Sequence, residues 1–225
     1  MDKGILQTAI PDSSVSIPLR EVLRYMGCPR DAESAMTDLG QRAAGEIAAV
    51  AAYKACTIRL PLRFCEGLPD LSWGPAPSKN LGRALSGCRE VLLMAATVGP
   101  AVDLRIRRAS ALHPSMALAL QAAGTAAVEE WCDVLCARLG RELADEGLQL
   151  RPRFSPGYGD FALENQRELF RLLDCPRKIG LTLTESLLMA PSKSVTAVVG
   201  LQPGGESCPP SGCEACGKNC DFRRS

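Results

Sequence analysis

The sequence contains a single histidine, His113, and a proline follows it directly. Histidine-dependent catalytic triads and the His-x-x-x-His zinc motif are therefore excluded apart from that one position, which we interpret as a surface residue. The chain also lacks a Gly-x-Gly-x-x-Gly pattern after a strand and a Walker loop, the usual cradles for dinucleotides and nucleotides. These absences disfavour a conventional hydrolase or dehydrogenase.

Neither sign of charge is in excess, because 26 basic residues accompany 25 acidic ones in a chain of 225 residues. This balance favours no polyanion, so we expect no nucleic-acid partner. The N-terminus has no long apolar segment of the kind found in signal peptides, and no apolar run approaches the roughly 18 residues of a membrane span. We therefore expect a soluble, cytoplasmic protein with no membrane partner.

Cysteine, in contrast, is abundant, with 11 residues. Because there is no signal peptide and many cysteines lie in Ala-rich apolar segments, reduced thiols are favoured over a disulfide scaffold. Cys132 and Cys136 have a helical spacing that can support a metal site, but their apolar neighbours favour packing in the core. The same assignment to the core applies to Cys28, Cys56, Cys65, Cys88 and Cys175.

The remaining cysteines form a C-terminal cluster with the spacing Cys-x4-Cys-x2-Cys-x3-Cys. They are Cys208, Cys213, Cys216 and Cys220. Thiolates separated by two and three residues are typical of iron–sulfur ligands, whereas structural zinc commonly uses two Cys-x2-Cys knuckles with a longer spacer. We predict an iron–sulfur site, with zinc and a metal-free thiol or disulfide tail as alternatives. The domain organisation is then one module over residues 1–201, and a linker with a Cys-rich metal-binding tail over residues 202–225.

Hydrophobic periodicity predicts helices over 19–26, 32–56, 101–108, 115–146 and 163–173. Strands are predicted at Thr57–Phe64, Val91–Val98, Leu181–Met189 and Ser194–Leu201. The second strand is apolar on both faces, which predicts a central buried position, and the last two flank a turn, which predicts a hairpin. The fold class is α+β, with a mainly antiparallel, twisted sheet flanked by helices.

The segment Arg151-Pro-Arg-Phe-Ser-Pro-Gly-Tyr-Gly-Asp160 places specialised backbone residues beside a fixed cation. Its two prolines restrict the backbone, and Gly157 and Gly159 permit positive φ angles, which together predict a rigid loop. Arg153 offers a planar charged fork suited to a carboxylate, and Tyr158 offers an aromatic face. With free amides beside them, these groups fit a ligand that has a carboxylate and a ring. The alternative is an exposed Pro/Gly connector.

This loop and the segment 179–195 together resemble the reactivation domain of cobalamin-dependent methionine synthase. That domain carries an Arg-x-x-Pro-Gly-Tyr loop, a helix, an Ile-Gly-x-x-Leu-Thr-Glu-Ser segment, a Met-x-Pro turn and a Ser-Val strand. All of these occur here in the same order, over about residues 151–201. The resemblance implies the α+β fold of that activation domain.

The resemblance further implies a free-standing module that binds S-adenosylmethionine and serves a cobalamin-dependent methionine synthase lacking its own copy. In that family, oxidation leaves the cobalamin as inactive cob(II)alamin, which one-electron reduction and methyl transfer from S-adenosylmethionine restore. The module would be an accessory component of this methyl-transfer enzyme. Because it would act by positioning the methyl donor rather than by acid–base chemistry, no catalytic residue is implied.

Individual residues acquire roles from the same resemblance. Arg153 would bind the methionyl carboxylate, and backbone groups around Ser155–Tyr158, Gly157 included, would bind the adenine. Tyr158 would lie between the methyl donor and the corrin ring. Glu129, on the long predicted helix, would pair with the ligand's amine or sulfonium, and an ordinary solvated glutamate is the alternative.

Glu185 belongs to the Thr-Glu-Ser part of the resembling segment and falls within a predicted apolar strand. A carboxylate in that setting needs a partner or a cavity, so its role is either structural or ligand-binding. After Leu201 the chain departs from the family, and the Cys-rich tail suggests a source of the electron. The rival hypothesis is therefore an iron–sulfur electron carrier or adaptor for another corrinoid enzyme, without S-adenosylmethionine chemistry.

Overall fold

The computed structural model describes residues 6–9, 11, 15–29 and 32–204. Its helices are α1 (Leu19–Tyr25), α2 (Ser34–Val50), α3 (Lys79–Ala84), α4 (Pro100–Leu112), α5 (Pro114–Ala144), α6 (Gln166–Leu173) and α7 (Cys175–Ile179), with a 3-10 turn at Leu163–Asn165. Among the described residues, no helix is long and apolar enough to cross a membrane. The predicted metal ligands Cys208, Cys213, Cys216 and Cys220 lie outside the described residues.

The strands are β1 (Leu6–Ala9), β2 (Lys54–Pro61), β3 (Arg63–Cys65), β4 (Leu68–Asp70), β5 (Glu90–Thr97), β6 (Leu148–Leu150), β7 (Thr182–Leu183), β8 (Met189–Ala190) and β9 (Ser194–Pro203). Within the described part of the chain, one antiparallel sheet has the order β1-β2-β5-β9-β6, and β3–β4 and β7–β8 form two small hairpins. The predicted fold class, α+β with a mainly antiparallel sheet and flanking helices, is confirmed.

Strand β5 lies at the centre of the sheet, as its apolar character on both faces predicts. It pairs with β2 on one side and β9 on the other, so that Met94 lies between Thr57 and Ala197. Alternate side chains of a strand point to opposite faces. One set, with Leu92 and Met94, joins the same core cluster as Trp131 of α5, and the other set, with Val91 and Leu93, packs with α6.

Helix α5 has two parts with different neighbours. Its Ala-rich first half packs against α1, α2 and α4, since small side chains let helices approach closely. Its second half covers the sheet, where the indole nitrogen of Trp131 donates to the carbonyl oxygen of Lys54 at 3.1 Å. The orientation of α5 relative to the sheet is thereby fixed, and with it the position of the acidic residues in the middle of the helix.

The second helix is shorter than the sequence predicts. It ends at Val50, and Cys56 belongs to β2 instead. Ala51 adopts an extended conformation, and the amide of Ala52 donates to the carbonyl of Val98 at 2.8 Å. The register of β2 on β5 therefore overrides the helical propensity of an Ala-rich segment.

The predicted hairpin between 181–189 and 194–201 is wrong in its pairing. β7 pairs with β8 across the turn 184–188, while β9 pairs with β5 and β6 in the main sheet. The turn 191–193, between β8 and β9, is held against α4. The backbone amide and the hydroxyl of Ser192 both donate to the carboxylate of Asp103, each at 2.7 Å. This contact directs β9 away from β8.

Candidate functional site

The loop 151–160 is anchored to the sheet at its start. The amide and carbonyl of Phe154 exchange two hydrogen bonds of 2.9 Å with Val198 of β9. Beyond this bridge, Gly157 and Gly159 have φ angles of +88° and +57°, values that favour glycine over other residues. The predicted need for glycine at both positions is confirmed.

Two backbone amides of the loop donate hydrogen bonds to carbonyls of the loop itself. The amide of Gly157 donates to the carbonyl of Phe161 at 2.7 Å, and that of Tyr158 donates to the carbonyl of Ser155 at 3.1 Å. The expectation of free amides is therefore wrong for Gly157 and Tyr158, because the turn closes on itself. An adenine ring would meet other backbone groups of the loop, unless these internal bonds open.

Asp160 fastens the end of the loop to the start of α3. Its carboxylate accepts hydrogen bonds from the hydroxyl of Ser78 and from the amides of Lys79 and Asn80, the two amides at 2.9 Å and 3.1 Å. The bond from Ser78, followed by those from the amides, holds the pKa of Asp160 below its ordinary value. The loop is thus held at both ends, by β9 and by α3.

Tyr158 projects from this fixed loop into solvent. Its side chain is 65% exposed, and its ring meets Phe154 edge to face with centroids 5.4 Å apart. Phe154 in turn packs on the core beneath the loop. A large aromatic ring held on a rigid support is suited to contact with another flat group.

Arg153 points the other way, towards α5. Its side chain is only 17% exposed, and its Nη2 lies 2.9 Å from Oε2 of Glu129, while its Nη1 lies 2.6 Å from Oδ1 of Asp133. The structure thus brings together Arg153 and Glu129, two of the residues predicted for the site, as an ion pair. Asp133 was not predicted as a site residue from the sequence, although its spacing of four residues from Glu129 places both on one helix face.

Cys132 and Cys136 lie close to this charged cluster. Burial raises the pKa of both thiols, so they are neutral, and Cys136 Sγ is 3.9 Å from Nη1 of Arg153. In the part of the chain that the structure describes, no group of three or more His, Cys, Asp or Glu side chains could hold a metal ion. The assignment of these two cysteines to packing agrees with this environment.

Glu185 does not lie in an apolar strand, and the predicted setting is wrong. It is exposed in the turn between β7 and β8, because the strand predicted at this position is interrupted after Leu183. The guanidinium of Arg167 donates to the backbone carbonyl of Glu185 at 3.1 Å. A buried partner for its carboxylate is therefore unnecessary.

We expect Gly159→Ala to loosen the loop. A Cβ at Gly159 would lie 2.6 Å from Nδ2 of Asn80 at a φ of +57°. The substitution therefore combines backbone strain of about 1 kcal/mol with displacement of the Asn80 side chain, whose Oδ1 accepts a hydrogen bond from Arg83. Thermal unfolding should show a lower midpoint than in Gly180→Ala, a matched control with a φ of +71° and no atom within 4 Å of the added Cβ. Equal midpoints for the two variants would contradict the close contact between loop and α3.

Comparison with known proteins connects this site to a family. A family model described as "Vitamin B12 dependent methionine synthase, activation domain" matches residues 143–206. The chain is similar to that activation domain. The match contains the whole loop with Arg153 and Tyr158, and the resemblance predicted from the sequence is confirmed.

The similarity extends beyond residues 143–206, because a solved structure shares the fold of most of this chain. It is described as "Crystal Structure of the MetH Reactivation Domain bound to AdoHcy", with a TM-score of 0.63 and 16% sequence identity. The alignment covers 92% of this chain and 81% of that chain. No curated protein sequence matches the chain.

Proposed function

We propose that this chain binds S-adenosylmethionine and presents it for the reactivation of a cobalamin-dependent methionine synthase. The observation that carries the proposal is that one anchored loop carries both Arg153, which pairs with Glu129, and the exposed ring of Tyr158. A guanidinium and a carboxylate side by side suit a zwitterionic amino acid group, and the aromatic ring suits a flat one. The family match over residues 143–206 and the similar solved reactivation domain, which is bound to AdoHcy, support a ligand of this class.

Each site residue then has a role. Arg153 binds the methionyl carboxylate, and Glu129 takes the amine or the sulfonium. Backbone groups around Ser155 and Gly157 other than the amides used within the turn contact the adenine, and Tyr158 lies between the methyl donor and the corrin ring. Each of these residues acts by holding the donor in position, which lowers the barrier without a proton transfer.

The partner in this proposal is a cobalamin-dependent methionine synthase without its own reactivation domain, in the cytoplasm. The partner's cobalamin, once reduced by one electron, would supply the cobalt centre to which the methyl group is transferred. The C–S bond of the donor breaks with its electron pair left on sulfur, which yields S-adenosylhomocysteine. Glu185, exposed on its turn, is available for contact with the ligand or the partner.

The four clustered cysteines favour a second role, delivery of the electron. Cys208, Cys213, Cys216 and Cys220 would hold an iron–sulfur cluster, or zinc if the tail is structural. The rival function, an electron carrier or adaptor for another corrinoid protein without S-adenosylmethionine chemistry, uses the same tail. Binding of S-adenosylmethionine by the purified chain separates the two functions.

A reactivation assay tests the proposed function. A cobalamin-dependent methionine synthase lacking its reactivation domain is inactivated by oxidation, then supplied with this chain, S-adenosylmethionine and a reductant. We expect methionine synthesis to recover only when all three are present. Recovery without S-adenosylmethionine would favour the electron carrier, and no recovery with any corrinoid partner would contradict the proposal.

A further inference from the structure

Arg153 faces two carboxylates from one helix. Its two terminal nitrogens each point to a different partner, Nη2 to Glu129 at 2.9 Å and Nη1 to Asp133 at 2.6 Å. The two acidic residues lie one turn apart on α5, and the half-buried guanidinium bridges them. In this arrangement the end of the fork is already occupied by anions belonging to the protein.

A ligand carboxylate that binds both terminal nitrogens at the end of the fork meets nitrogens that already donate to Glu129 and Asp133. Two carboxylates on one nitrogen repel each other, so bidentate binding at the end of the fork requires a protein carboxylate to withdraw. Asp133 makes the shorter bond, 2.6 Å against 2.9 Å, but its side chain is 44% exposed, whereas that of Glu129 is 29% exposed, so its carboxylate regains more hydration on release. Water can hydrate the carboxylate of Asp133 when it leaves, which lowers the cost of separation.

We propose that Asp133 is an internal competitor for Arg153, which holds the guanidinium in the empty site and is displaced by the ligand's carboxylate. Glu129 keeps its contact and remains available for the ligand's cationic group. This inference rests on the proposed function and adds a residue that sets the affinity and the selectivity for ligands with a carboxylate. The apparent affinity of the wild type is reduced by the fraction of molecules in which Asp133 still occupies Arg153.

Asp133→Asn tests this role, because asparagine keeps the shape of the side chain and removes its charge. We expect calorimetry to show binding of S-adenosylhomocysteine that is tighter by about two- to fivefold, the size expected when a partly exposed ion pair no longer competes. Glu129→Gln should change the affinity in the opposite direction. If both carboxylates simply attracted the ligand's amine, both substitutions would weaken binding.

Two controls isolate the competition. Glu142→Gln removes a charge from the same helix, at a residue whose ion pair is with Arg138 rather than Arg153, and should leave the affinity unchanged. Decarboxylated S-adenosylmethionine has no carboxylate to exchange for that of Asp133. Its affinity should therefore not increase in Asp133→Asn, and a loss is expected because the ligand is cationic.

The possible outcomes separate this inference from the function on which it rests. Tighter binding of S-adenosylhomocysteine by Asp133→Asn, without a gain for the decarboxylated ligand, supports the competitor role. Equal or weaker binding by Asp133→Asn, with a wild type that does bind, overturns the role and leaves the proposed function intact. Failure of the wild type and all variants to bind either ligand overturns both.

Discussion

We expect Arg153→Lys to weaken the binding of S-adenosylmethionine by about 1.5–3 kcal/mol, or roughly 10- to 150-fold. Lysine keeps the positive charge but loses the planar fork, so it cannot serve Glu129 and a ligand carboxylate at the same time. Calorimetry on the wild type and the variant measures the difference. Lysine is preferred to alanine here, because alanine would leave Glu129 and Asp133 without their shared guanidinium and would also destabilise the fold.

Arg59→Lys is the matched control for this experiment. Arg59 also bridges two carboxylates, those of Glu90 and Glu146, each at 2.6 Å, but it lies on β2 outside the loop. Both lysine variants should remain folded, while only Arg153→Lys should lose affinity. Unchanged affinity in a folded Arg153→Lys variant would contradict the assignment of the carboxylate site.

The second large effect concerns the C-terminal cysteines. We expect Cys213→Ser to abolish metal binding in anaerobically prepared protein, because a serine hydroxyl does not replace a thiolate ligand at neutral pH. Binding of S-adenosylmethionine should persist, since β9 runs to Pro203 and the cysteines follow it along the chain. Metal analysis and absorbance near 400 nm on the wild type and the variant provide the measurement.

Cys65→Ser serves as the control for the tail. The assignment of Cys65 to the core is wrong, because Cys65 is an exposed thiol in β3. It lies outside the cluster, and its replacement should leave the metal content unchanged. If the wild-type protein is colourless and contains zinc, the cysteines form a structural zinc site instead of an iron–sulfur cluster, and the tail carries no electron. A wild type with neither iron nor zinc would exclude both and leave a thiol tail.

Local sequence patterns predicted the parts of the fold that depend on local chemistry. A run that is apolar on both faces identified β5, and the glycines of the loop identified positive φ angles at Gly157 and Gly159. Patterns failed where pairing decided the outcome. The end of α2 at Val50 and the partner of β9 depend on hydrogen bonds between distant segments, which no local period encodes.

In the candidate site, too, local patterns predicted residues but not the contacts between distant segments. The sequence predicted Arg153 and Glu129 as separate contacts to a ligand, and the structure pairs them with each other and adds Asp133. These contacts join residues 20 and 24 positions apart and depend on how α5 lies against the loop. That orientation is set by packing of α5 on the sheet, around Trp131, rather than by any motif.

Calorimetric titration of the wild-type chain with S-adenosylmethionine tests the central claim most directly. The account predicts saturable binding to one site per chain, with an affinity that Arg153→Lys reduces and Arg59→Lys does not. S-adenosylhomocysteine should compete for the same site, because it keeps the carboxylate, the amine and the adenine. The absence of binding to a correctly folded wild type, in the presence and absence of a corrinoid partner, would contradict the account.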